Sequence, residues 1–272
     1  MTELDVIKRC TDGPVTFDSM CTDLRSLGVE SGMTLLVHSS LTALGWVSGG
    51  PQAVVLALQE VLGPQGTLVM PTHSGDFSDP GHWQRPPVPE SWWETIRQTM
   101  PVYDPVMTPT RKMGKIVDCF RSQRDTLRSS HPHLSFAARG PLAKQITANH
   151  GLAYGLGENS PLARLYELDA WVLLMGVKHG NNTSLHLAES RSKNAGSKTT
   201  QGQAPLLVDG KRQWVTFTDV DYDDEDFVRM GEAFEARVDQ LRVAKIGYGE
   251  GRLFRQGPLV DYAVKWIEEQ RS

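Results

Sequence analysis

At 272 residues, with 39% hydrophobic and 22% charged side chains, the chain has the material for a sizeable buried core and reads as an ordinary globular protein. A formal net charge of -4 leaves no basic footprint for nucleic acid, and no apolar run approaches the ~20 residues that span a bilayer. Cys10, Cys21 and Cys119 are widely spaced with no CxxC pair, which argues against a disulfide framework or a cysteine zinc site and for a reducing, cytoplasmic setting.

Charges at Glu3, Asp5, Lys8 and Arg9 interrupt any leader-like apolar run. Thr16 is placed to cap a helix running to about Leu27, where Gly28 ends it. Met33 to Val37 suits a buried strand. Ser48-Gly49-Gly50-Pro51 opens a second helix, with Pro51 in the first turn and Val54, Val55, Leu58, Val61 and Leu62 as its apolar stripe. Gly63-Pro64 stops it before a strand at Thr67 to Met70, an order that predicts a parallel crossover. Pro71 to Glu90 holds five prolines and two glycines without periodicity, the signature of a long functional loop. Trp92 to Met100, Met113 to Phe120, Leu142 to Asn149 and Pro161 to Leu168 read as helices, and Trp171 to Val177 as a buried strand. Asn182-Thr183-Ser184 caps a following helix. Leu206 to Val208 and Gln213 to Phe217 flank Asp209-Gly210, a hairpin signature, and Leu259 to Glu269 is an amphipathic helix. The elements assemble into one α/β domain over residues 1–272, with a late antiparallel portion.

Chemistry concentrates between Val177 and Glu189, after a buried strand and at the start of a helix, where open α/β sheets place their sites. His186 and Glu189 fall on one helical face, so the carboxylate can accept from one imidazole nitrogen and leave the other free to take a proton. On spacing alone, a capped helix whose histidine merely bonds the backbone is equally admissible. A metal site using His179, His186 and Glu189 lacks the HExxH spacing that puts two imidazoles on one face.

His38-Ser39-Ser40-Leu41 closes the first strand just before Ser48-Gly49-Gly50, a region rich in backbone N–H groups that suits a phosphate or a plain polar turn. It has neither a GxxxxGK[ST] loop nor a GxGxxG fingerprint, and the serines lack the GxSxG elbow. Ser130 to Ala138 places two histidines around Pro132, a turn leading into a strand in preference to a metal site. Asp219 to Asp226 contains six acids in eight residues, either a solvated face or a rim that attracts a polyamine through its field.

Several stretches recur in a distinctive order: VHSSLTALGWVSGG at 37–50, GTLVMPTHSGDFSDP at 66–80, MTPTRKMGKI at 107–116 and RSSHPHLSFAARGPLA at 128–143. They continue with LGENSPLARLYELDAWVLLMGV at 156–177, HGNNTSLHLAE at 179–189, WVTFTDVDYDDEDF at 214–227 and GRLFRQGPLVDYAV at 251–264. Together, from about residue 16 to 268, they resemble the aminoglycoside 3-N-acetyltransferase family, the antibiotic acetyltransferase fold and not the GNAT fold.

The resemblance implies a three-layer α/β/α core with a mixed, largely parallel sheet, and acetyl-CoA as co-substrate. It assigns coenzyme contacts to His38, Ser39, Ser40, Leu41, Ser135 and Phe136, with Arg111 meeting a coenzyme phosphate and Thr72 near the thioester. His186 matches the family's base and Glu189 its partner; Gly180 stands where one variant of the pattern has Asp, and His186 is preferred to His179. The implied reaction is direct acetyl transfer to an aminoglycoside amine, without metal or covalent enzyme intermediate, with Thr72 and nearby N–H groups on the oxyanion side. Such an acceptor is polycationic, so Asp76, Asp79, Asp221, Asp223, Asp224 and Glu225 are the candidate acceptor-binding residues. A different small amine, a catalytically silent coenzyme A-binding protein and a metal-dependent hydrolase are the rival readings. The expected partners are small molecules, with no nucleic acid or membrane, in a monomer or homodimer.

Overall fold

The computed structural model describes residues 2–193 and 198–271. Its strands are β1 (Thr34–Ser39), β2 (Thr67–Pro71), β3 (Leu127–Arg128), β4 (Phe136–Arg139), β5 (Trp171–Met175), β6 (Thr199–Val208), β7 (Lys211–Val220), β8 (Arg242–Ile246) and β9 (Gly249–Arg255). Among the described residues, one sheet carries seven strands in the order β3-β4-β2-β1-β5-β9-β8, and β6 pairs with β7 apart from it. The central strands β2, β1 and β5 run parallel, while β4 and β9 flank them antiparallel.

Side-chain alternation along these strands separates two cores. Leu35, Val37, Leu68, Met70, Leu173 and Met175 face one side, which the helices Phe17–Leu27, Gly50–Leu62 and Lys115–Arg121 cover. Leu36, Val69, Val172 and Leu174 face the other, under the helices Pro161–Glu167, Ser184–Arg191, Phe227–Glu235 and Gln256–Gln270. Burial on both faces explains why the central strands read as continuous apolar runs. The result is the expected three-layer α/β/α arrangement.

Local signals mark most of the long elements. Thr16 accepts from the Ser19 N–H to cap the first predicted helix, and Gly28 ends it in the left-handed region at φ 98°. Asp209 and Gly210 both take positive φ, 50° and 74°, the requirement of a two-residue I′ hairpin turn. The hairpin is longer than the short apolar runs indicated, because β6 and β7 pair over ten residues each and most of these are exposed or half-buried.

Other elements differ from expectation. The Trp92 to Met100 helix is Trp93–Thr99, entered through a 3-10 turn, and Leu142 to Asn149 shrinks to Ala143–Thr147. The helices Glu3–Arg9 and Phe227–Glu235 carry no predicted counterpart. Glu3–Arg9 buries Val6 alone and so shows no apolar stripe; Phe227–Glu235 follows directly on the acidic run. β8 also escapes sequence reading, as an edge strand that is mostly exposed.

Leu36 lies on the central strand with no exposed surface. Leu36→Ala is expected to destabilise the fold by roughly 2–5 kcal/mol, read as a lower urea midpoint with an unchanged m-value.

Candidate active site

Because β2, β1 and β5 are parallel, their carboxyl ends open on one edge of the sheet. His38 and Ser39 finish β1, Thr72 and His73 follow β2, and the turn from Gly176 to Asn182 follows β5. Antiparallel β4 brings its start to the same edge: Phe136 pairs with Pro71, and the Thr72 N–H donates to the Ser135 carbonyl at 2.8 Å. Sequence positions more than a hundred residues apart therefore converge at this edge.

The turn after β5 leads into the helix Ser184–Arg191. Its N-terminus is tied by Asn182, whose Oδ1 accepts from the Ser184 N–H at 3.2 Å. Thr183 makes no side-chain cap and instead sets its hydroxyl 3.4 Å from His38 Nε2. One turn into the helix, His186 Nδ1 donates to Glu189 Oε2 at 2.6 Å. That bond fixes the imidazole tautomer and leaves Nε2 with a free lone pair. The ring is wedged between Tyr222 and Phe227, at centroid distances of 4.9 and 4.8 Å. Neither aromatic stands out in the sequence, because both lie among the acids after β7.

Glu189 is only 4% exposed. Its Oε1 accepts from the Asp223 N–H at 3.0 Å and from Arg271 Nη1. His179, by contrast, is engaged elsewhere. Its Nε2 donates to Glu235 Oε1 at 3.0 Å, its Nδ1 accepts from Asn182, and its ring stacks on Phe254. The two histidines are thus tied to carboxylates of different helices. Among the described residues, no group of three or more His, Cys, Asp or Glu side chains could hold a metal ion.

Thr72 and Ser135 are wholly buried and share a polar knot with Arg128. Arg128 Nε donates to Thr72 Oγ1 at 3.2 Å and to Ser135 Oγ at 3.0 Å, and Nη2 donates to the Thr72 carbonyl at 2.7 Å. Ser135 Oγ in turn donates to that same carbonyl at 2.8 Å. Phe136 packs in the core beneath, against the His73 ring. Nothing in the sequence signals Arg128, which sits on the two-residue strand β3.

A cavity of about 920 Å³ opens beside this edge, lined by Ser39, Ser40 and Leu41 together with Trp46, Gly50 and Pro51. The helix Gly50–Leu62 thereby points its N-terminal end, the positive end of its dipole, at the cavity, although the Gly50 N–H itself donates to the Val47 carbonyl. Lys112, Lys115 and Lys178 supply cations to the same walls; sequence reasoning passed over all three, since isolated lysines carry no pattern. His38 does not line this cavity, being buried against Thr183. Ser135 and Phe136 do not line it either. Another cavity, of about 760 Å³ around Gly63, Pro64 and Arg139, lies at the opposite, amino end of the strands.

The candidate acceptor acids are dispersed. Asp76 pairs with Arg111 at 2.8 Å, and both line a separate hollow of about 570 Å³ within the long loop. Asp79 is buried and clamped by Arg97 through two bonds of 2.7 and 2.9 Å. Asp223 gives its N–H to Glu189 and its carboxylate to the Glu225 N–H. Asp221, Asp224 and Glu225 are exposed.

Three further histidines are structural. His131 accepts from the His133 and Leu134 N–H groups and donates to the Leu152 carbonyl. His133 donates to the carbonyls of Phe77 and Gln203, and His150 to that of Gly155. Phe217 of β7 packs edge-on against the His131 ring and tilted against that of His133, so the hairpin closes over the cluster.

A protein-family model described as aminoglycoside 3-N-acetyltransferase matches residues 36–268. The SPbeta prophage-derived aminoglycoside N(3')-acetyltransferase-like protein YokD of Bacillus subtilis (strain 168) is 45% identical over 262 residues, covering 96% of this chain and 95% of its own. Its crystal structure superposes with a TM-score of 0.95, covering 98% of both chains at 43% identity. Aminoglycoside N(3)-acetyltransferase VII of Streptomyces paromomycinus is 36% identical over 283 residues, covering 99% and 97%. A solved binary complex of AAC-IIIb with CoASH matches at 28% identity and a TM-score of 0.83, covering 95% and 98%.

Burial dominates the charge states at the sheet edge. It pushes His38 and His73 down to about 3, aided by repulsion from His179 and His186 at His38 and from His186 at His73, and His150 to about 4. In the unfolded chain each titrates near 6.5, so below that pH the unfolded state binds the extra protons. The stabilisation is present above pH 6.5 and is lost as the pH falls towards 4, by at most about 1.4 kcal/mol per pH unit for each histidine. Urea unfolding at pH 7, 6, 5 and 4.5 is expected to show a steadily falling midpoint; a flat profile would contradict neutral burial.

Proposed function

The chain belongs to the aminoglycoside 3-N-acetyltransferase family, and on that premise we propose that it moves the acetyl group of acetyl-CoA onto an aminoglycoside amine, at the 3-amino position, by direct transfer. The observation that carries this reading is the 2.6 Å bond from His186 Nδ1 to Glu189, on the helix that follows the turn after β5, whose residues Lys178 and Asn181 line the large cavity.

An ammonium group cannot attack a carbonyl, so a proton must leave the acceptor. His186 Nε2 takes it, and Glu189 holds the ring and offsets the imidazolium charge that forms. As the new N–C bond forms at the acetyl carbonyl and the C–S bond breaks, the nitrogen sheds its second proton, which protonates the departing sulfur, while the proton first taken by His186 passes to solvent, so that ammonium and thioester give amide, thiol and one released proton. Thr72 is assigned to the oxyanion side; its Oγ1 accepts from Arg128 Nε, which polarises the hydroxyl for donation. Holding two substrates in register contributes the larger share, on the order of 7–11 kcal/mol. No protein nucleophile takes part.

The residues present fit a coenzyme A. Ser39 Oγ is buried without a hydrogen-bond partner, the positive end of the helix dipole at Gly50 faces the cavity, and three lysines suit phosphates. We assign Ser39, Ser40 and Leu41 to direct contact, His38, Ser135 and Phe136 to the wall behind them, and Arg111 to the adjoining loop. The AAC-IIIb complex with CoASH supports the co-substrate. Residues 1–272 act in this reading as one domain, since both cores pack on one sheet, placed in the cytoplasm and working without metal. Among the described residues, no helix is long and apolar enough to cross a membrane.

One observation favours a second acceptor. Asp76 and Asp79 are already paired with arginines, which leaves Asp221, Asp224 and Glu225 as the acids open to a polycation. A small amine of lower charge would need no such rim. Thiol release from acetyl-CoA against a panel of aminoglycosides and other small amines separates the two. Rapid release with an aminoglycoside supports the first reading, and release with other amines alone supports the second. His186→Ala is expected to lower kcat/KM by roughly 100-fold or more with any acceptor; turnover retained in that variant would remove His186 as the base.

A further inference from the structure

The pair His186–Glu189 is held from outside its own helix. Arg271, one residue beyond the helix Gln256–Gln270, reaches across to it. We propose that Arg271 is a positioning residue for acetyl transfer, gripping Glu189 so that the carboxylate is both aimed at His186 and balanced in charge. The inference rests on the reading of His186 as base.

The geometry divides the labour of one carboxylate. Glu189 Oε2 accepts from His186 Nδ1 at 2.6 Å, while Oε1 accepts from Arg271 Nη1 and from the Asp223 N–H. Oε1 is thus pinned, and the carboxylate cannot rotate away from the imidazole. Arg271 is pinned in turn: Nε and Nη2 donate to the two oxygens of Asp226, and Nη2 also donates to the Asp223 carbonyl at 2.7 Å. Its side chain is 16% exposed and lies over Phe227, whose ring packs on His186. A planar, forked cation suits this bridging of two carboxylates and a carbonyl.

The charge matters as much as the aim. The groups facing the pair are Tyr222 and Asp219 from the end of β7, His38 and His73 from the strand ends, and Lys198 and Asp221 around the small hollow beside Glu189. His38 and His73 stay neutral, so Arg271 is the cation bonded directly to Glu189. Without it, the negative charge on Glu189 and Asp226 would bind the imidazolium proton more tightly, and the base would be occupied at higher pH.

Arg271→Gln should therefore shift the acid limb of kcat/KM upward by about one pH unit and lower kcat at neutral pH about tenfold. KM for acetyl-CoA should stay within about twofold, since Arg271 does not line the cavity assigned to it. Arg271→Lys should keep the limb in place while recovering part of kcat. Asp226→Asn provides an independent arm should Arg271→Gln fail to fold: it removes the Asp226 carboxylate charge from Arg271 and should move the limb downward. A folded Arg271→Gln protein with an unmoved limb, or a limb unmoved in Asp226→Asn, overturns the proposal. A dead His186→Ala enzyme alongside that result would sink this inference alone; an active His186→Ala enzyme would sink the base assignment with it.

Discussion

Glu189 is a carboxylate buried almost completely, and such a charge is tolerated only when its oxygens are matched by donors. The donors come from three parts of the chain: His186 one helical turn away, the Asp223 backbone after β7, and Arg271 beyond the last helix. Meeting that requirement joins the helix Ser184–Arg191 to the helix Gln256–Gln270 and fixes the acidic stretch after the hairpin. Much of that stretch is therefore scaffold. Asp223 and Asp226 serve the buried pair, leaving Asp221, Asp224 and Glu225 towards solvent.

Electrostatics on the other side of the sheet edge is managed by neutrality. Burial keeps His38, His73 and His150 uncharged, and burial also pushes Arg128 below its ordinary value. Arg128 is satisfied largely by carbonyls and hydroxyls, including those of Thr72, Ser74, Ser135 and Thr108. A guanidinium held by neutral oxygens keeps most of its field, so Thr72 sits in a positive environment even though it has no exposed surface. The same design recurs at His131 and His133, whose imidazoles replace backbone partners in a turn that has no regular structure of its own.

Legibility of the site followed the range of the interactions. His186 and Glu189 are three apart, so helix geometry alone predicts their contact, and the structure supplies it at 2.6 Å. Ser39, Ser40 and Leu41 were readable as a strand end, and they do line the large cavity. Asn182-Thr183-Ser184 was read as the cap; within it Asn182 accepts from the Ser184 N–H, while the Thr183 hydroxyl turns to His38. Arg111 and Asp76, placed at opposite substrates, pair with each other within the long loop. Asp79 reads as an available acid until Arg97, eighteen residues on, is seen clamping it.

The sequence by itself determined what short-range physics controls: the two-face burial of the central strands, the helix starts at Thr16 and Pro51, the Asp209-Gly210 turn, and the dyad on one helical face. Its ordered motifs also carried the family. Only the tertiary structure decided which charges are free and which are paired. Arg271 meets Glu189 across 82 residues, Arg128 meets Thr72 across 56, and Lys112, Lys115 and Lys178 share one cavity from separate segments. Such meetings are set by the packing of helices on a sheet, and a side chain's charge leaves no periodic trace in the chain that carries it.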